Sequence, residues 1–129
     1  MVRMKIILMG DPKTKKNSRR IFESNGKRIS LPSAAYEEYQ DSCLWQIGAR
    51  YREKITRTVW VEYLYYPATE RRVDLDNLVV GTNDILVKAK VLPDDGRAVI
   101  REISAKFMET DRHNPRVEIT ILEDDEDDD

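Results

Sequence analysis

The residues of this 129-residue chain best suited to chemistry are Arg71-Arg72-Val73-Asp74-Leu75-Asp76-Asn77-Leu78. Asp74 and Asp76 stand two apart, so in an extended chain both carboxylates point to one side. A second acidic pair follows in the turn Pro93-Asp94-Asp95-Gly96. Hard divalent cations take oxygen ligands, and Mg²⁺ needs only one or two carboxylates besides water and substrate phosphate. Two or three convergent aspartates therefore suit Mg²⁺ or Mn²⁺. Such an ion lowers the pKa of a bound water and stabilises the attacking and leaving oxygens at a phosphorus. The neighbouring Arg71 and Arg72 could hold phosphates and neutralise developing charge. The same aspartates also suit structural work. Asp at a helix start caps it and favours its dipole, and Asp-Asp-Gly is ordinary turn chemistry. Asp84 and Lys88, four apart, read as a surface ion pair on a helix.

The elements that must position these groups follow from periodicity. Val2 to Met9 reads as a first strand, ended by Gly10-Asp11-Pro12. A basic polar segment, Lys13 to Arg20, reads as a loop. Arg20 to Ser24 and Lys27 to Leu31 flank Asn25-Gly26, the pair that a two-residue hairpin turn favours. Ser33 is an N-cap for a long helix whose apolar stripe runs through Tyr36, Tyr39, Cys43, Leu44, Ile47 and Tyr51. Thr56 to Tyr66 is a strand apolar on both sides, hence a central strand covered on both faces. A second helix spans about Asp76 to Ala89. Its stripe of Leu75, Leu78, Val79, Thr82, Ile85, Leu86 and Ala89 faces the sheet, and Asn77, Gly81, Asp84 and Lys88 lie on the polar side. Val99 to Phe107 and Arg116 to Leu122 are the last strands. The order predicts an α+β (mixed α/β) domain over residues 1–122: a mixed β-sheet with two packed helices.

Charge is unevenly spread. The chain holds 22 basic and 24 acidic residues. Seven of the acidic ones form the run Glu123 to Asp129, which leaves seventeen and a body of about +5. A run of like charges repels itself, so residues 123–129 are expected to be a disordered tail. The basic body suits a polyanionic partner. Lys13, Lys15, Lys16, Arg19, Arg20, Lys27, Arg28, Arg71, Arg72 and Lys88 are the candidate phosphate-facing cations. One cysteine, Cys43, and one histidine, His113, exclude an internal disulfide and a Cys/His zinc cluster, a composition suited to a reducing cytoplasm. The apolar stretch at the N-terminus is too short for a signal peptide, and no stretch approaches a membrane span. An Asp-x-Asp pair also serves metal-dependent nucleotidyl or sugar transferases, but no Gly-rich phosphate loop accompanies it here.

Asp74-Leu75-Asp76-Asn77-Leu78, then Asp84-Ile85-Leu86, Lys88-Ala89 and Asp94-Asp95, resembles the signature of the RusA-type Holliday-junction resolvases of bacterial prophages and phages, and the match runs without gaps from Arg71 to Asp95. The resemblance implies a homodimer that requires Mg²⁺ or Mn²⁺ and cuts four-way DNA junctions with paired nicks in recombination and repair. It makes Asp74, Asp76 and Asp95 the metal-binding catalytic residues, with Asp94 a further possible ligand. Two positions depart from the family pattern. Val80 stands where a lysine is typical, and Val73 where an arginine is frequent. Arg72, Lys88 and Lys90 are candidates to replace the missing cations. The alternative is a member of the same fold that binds DNA and cuts it weakly or not at all.

Overall fold

The computed structural model describes residues 2–15, 20–31, 33–48, 51–52, 55 and 57–123. Strand β1 (Val2–Met9) is followed by a hairpin of β2 (Arg20–Ser24) and β3 (Lys27–Leu31), helix α1 (Ala34–Gln46), β4 (Val59–Tyr66), helix α2 (Leu75–Lys88), β5 (Ile100–Phe107) and β6 (Arg116–Glu123). Asn25 and Gly26 both have positive φ, 54° and 78°, the conformation the hairpin turn demands and the reason for Asn-Gly there. The acidic run begins inside β6, where Glu123 pairs with Val59. The rest of that run lies outside the described residues, as do Lys16 and Arg19 of the basic loop.

Four strands form one sheet in the order β1-β6-β4-β5, and β2-β3 stand apart as a ribbon. β6 is antiparallel to both its neighbours, whereas β4 and β5 are parallel. A parallel pair needs a crossover, and α2 lies in that crossover. The mixed sheet with two helices is thus the expected α+β fold. α1 and α2 supply the helical part of a core whose sheet side is built from Ile6, Leu8, Val61, Tyr63, Tyr65 and Ile119.

Three expectations need correction. β4 is central but not covered on both faces. Its burial alternates strictly, with Val59, Val61, Tyr63 and Tyr65 buried and Trp60, Glu62, Leu64 and Tyr66 half-buried. Apolar residues on the open side gain from cross-strand neighbours without a covering layer. α1 ends at Gln46, with Ile47 as its C-cap in extended conformation. Tyr51 therefore lies beyond the helix, although it still packs against the core. On α2 the expected polar side is not all open: Gly81 is buried. A Cβ on Gly81 would stand 3.1 Å from Tyr36 Cε1 and 3.5 Å from the Lys13 carbonyl oxygen. The bare helix surface there admits the α1 tyrosine and the loop after β1.

Polar anchors fix α2 in this position. The Tyr36 hydroxyl donates to the Gly81 carbonyl at 3.0 Å, and Gln40 Nε2 donates to the Tyr36 hydroxyl at 3.2 Å. On the sheet side the Tyr63 hydroxyl donates to Asn83 Oδ1 at 2.6 Å, and the Tyr65 and Thr82 hydroxyls share a bond of 2.8 Å. Each satisfies a buried polar group that would otherwise cost about 1–3 kcal/mol. After Lys88 the chain turns through Lys90, at φ 64°, and drives Val91 and Leu92 into the core. Among the described residues no helix is long and apolar enough to cross a membrane.

Candidate active site

Asp74 occupies the N-cap position of α2, with φ −81° and ψ 130°, but its side chain makes no capping hydrogen bond. An aspartate that merely caps would accept from a first-turn amide. This carboxylate is exposed, and it meets the Asn77 side-chain amide, which donates to Asp74 Oδ2 at 3.5 Å. Asp76 Oδ1 accepts from the Asn77 backbone amide at 3.0 Å. Asn77 therefore bridges the two acids. Its bridging role was not part of the sequence reading, although its (i, i+3) spacing from Asp74 was a signal for it.

The second acidic pair divides its tasks. Asp94 Oδ1 accepts from the Gly96 amide at 2.6 Å, the turn chemistry expected of Asp-Asp-Gly. Asp95 is exposed on the same turn. Burial first, then Tyr65 and the Asp95 carboxylate, push the Tyr63 phenol well above its usual range. Tyr63 meets α2 at Asn83, about two turns beyond Asp76. Among the described residues no three His, Cys, Asp or Glu side chains of one chain gather closely enough to hold a metal ion. The chain brings Asp74 and Asp76 together and does not add Asp95 to them.

The cations sort into free and engaged. Arg71 and Arg72 are exposed, and no described carboxylate pairs with either. With Pro12, Lys13, Thr14 and Ser33 they line a cleft of about 350 Å³ that reaches Val73, the residue before Asp74. Lys13 pairs with Asp11 at 3.4 Å. Lys88 does not pair with Asp84 as its spacing suggests. Its Nζ donates to Gln40 Oε1 at 3.0 Å, tying α2 to α1, and Asp84 pairs with Lys15 instead. Lys27 and Arg28 are exposed on β3, and nothing is described of the Arg20 side chain. Of the two departures from the family pattern, Val73 packs half-buried against the core and Val80 is 38% exposed on α2.

The family model for the endodeoxyribonuclease RusA matches residues 10–122. The chain belongs to the RusA family. A search of curated proteins gives no match. The RusA family consists of endodeoxyribonucleases that resolve Holliday junctions, and the matched region contains both helices, the basic loop and the candidate residues Asp74, Asp76, Asp94 and Asp95.

Proposed function

We propose that the chain is a Mg²⁺- or Mn²⁺-dependent endonuclease that resolves four-way DNA junctions by paired cuts, acting as a homodimer. The observation that carries this reading is the state of Asp74: an N-cap residue whose exposed carboxylate does no capping, bridged to Asp76 and preceded by two arginines without described carboxylate partners. Asp74 and Asp76 would hold the ion, and two carboxylates match what Mg²⁺ asks of a protein. When bound, the ion supplies an activated water and charge stabilisation at the phosphorus. Asn77 fixes the orientation of both carboxylates. Arg71, Arg72 and Lys13 bind the DNA backbone and orient the scissile phosphate, contacts that position the substrate without reading sequence. The N-terminal end of α2 adds a dipole favourable to anions.

Asp95 enters from a second copy in this account. The turn that carries it follows α2, whose fourteen residues span about 20 Å, and the single chain gathers no three-carboxylate cluster among its described residues. A twofold axis that brings Asp95 of the partner subunit to Asp74 and Asp76 completes the set. It also creates two equivalent sites, which paired cuts need.

The test is cleavage of synthetic four-way, forked and linear DNA during a titration of Mg²⁺ or Mn²⁺. Paired nicks on the four-way junction, absent without metal and weak on linear duplex, are expected. Tight junction binding with no cutting under either metal would favour a second reading, a DNA-binding member that has lost the chemistry. The absence of Lys or Arg from α2 before Lys88 favours that second reading.

A further inference from the structure

α2 carries no lysine or arginine from Leu75 to Val87, so a cation over this stretch has to come from another element. The loop after β1 brings one. Where Gly81 leaves α2 bare, the Lys13 carbonyl comes within 3.5 Å of the position a Cβ would take, and two residues later the Lys15 ammonium pairs with the Asp84 carboxylate. Asp84 lies seven residues after Asn77, hence on nearly the same side of the helix. Asn77 is the residue that bridges Asp74 and Asp76. Lys15 is therefore held about 10 Å along the helix axis from the acidic corner, while Lys13 on the same loop lines the cleft with Arg71 and Arg72.

The pair joins residues 69 apart in sequence, and the two side chains are 34% and 29% exposed. Ion pairs this open to water contribute little to folding. A carboxylate offers an ammonium the same anionic oxygens as a phosphate. Resting on the nuclease reading above, we propose that Asp84 is a positioning residue for the substrate. It holds Lys15 over α2 where a DNA phosphate will come, and it yields Lys15 to that phosphate when the junction binds. The dense charge of the DNA backbone drives the exchange.

Junction binding is measured without metal, across a salt series, for the full chain and for Lys15→Met, Asp84→Asn and the double variant. Lys15→Met should make the slope of log K against log salt less steep by about 0.9, one phosphate contact. Asp84→Asn, which removes the competitor, should tighten binding about two- to fivefold at low salt. Most of that gain should vanish in the Lys15→Met background. An unchanged slope in Lys15→Met, weaker binding in Asp84→Asn, or an equal gain in both backgrounds would each overturn the exchange. If a variant fails to fold, amine-reactive footprinting of the unmodified chain decides. Lys15 should be labelled at least threefold more slowly with saturating junction while exposed Lys5, on β1, is unaffected, and equal labelling overturns the proposal. Failure of the unmodified chain to bind the junction at all would instead overturn the nuclease reading.

Discussion

At the scale of single residues, the account depends on Asp76 and its neighbours. Asp76→Asn keeps an oxygen that can still accept from the Asn77 amide, so the local fold should survive while the proposed metal ligand is weakened. Junction cutting is expected to fall at least about a hundredfold. Binding should persist or tighten, because a negative charge beside the phosphates is gone. Electrophoretic binding and cleavage assays on one preparation check both, and loss of binding together with cutting would count against the ligand role. The aspartate pair was legible in sequence because two-residue spacing at a helix entry is a local pattern. The Lys15–Asp84 pair was not, since its partners lie on separate elements and no spacing encodes that meeting. Lys88 shows the converse. Its (i, i+4) distance from Asp84 suggested a partner, and the tertiary fold supplied Gln40 instead.

At the scale of elements, α2 does the positioning, and Gly81 is where it meets α1 and the basic loop. Tyr36 is buried and held at its hydroxyl by Gly81 and Gln40, so its ring has little room to retreat. Gly81→Val should overpack this contact and destabilise the fold by about 1–3 kcal/mol, read from urea unfolding. Unchanged or raised stability would mean that the loop and Tyr36 move aside freely. The boundaries of β1, the hairpin, α2, β5 and β6 were readable within about a residue because each has a strong period or an unmistakable turn. Which side of an element a loop covers was not readable. Periodicity marks Gly81 as falling among polar residues, and only the approach of Tyr36 and Lys13 explains its burial. For β4, apolar residues on both sides suggested two covering layers, yet only one side is fully buried and the other half-buried.

At the scale of the whole molecule, the tyrosine-rich core predicts a stability limit at high pH. Burial raises Tyr39 and Tyr63 well above their ordinary range and Tyr36 to about 12, and it lifts the Cys43 thiol to about 11. In each case the folded state favours the neutral form. The unfolded chain then loses protons first, and stability falls as pH rises. Unfolding free energy should be flat in these groups below about pH 8 and decline from about pH 9 upward through the folded pKa values. A pH series of denaturant midpoints checks this, and a flat profile to pH 11 would contradict the burial of these phenols.

The central claim also belongs to the whole molecule: cutting requires Asp74 and Asp76 from one subunit and Asp95 from the other. Mixing inactive Asp76→Asn with inactive Asp95→Asn under subunit exchange tests it most directly. A heterodimer of the two would hold one site with both substitutions and one with neither. The mixture, with Mg²⁺ and a four-way junction, should therefore regain single-strand nicking that neither variant shows alone. If the mixture stays as inactive as its components while the heterodimer forms and binds the junction, the shared site is contradicted.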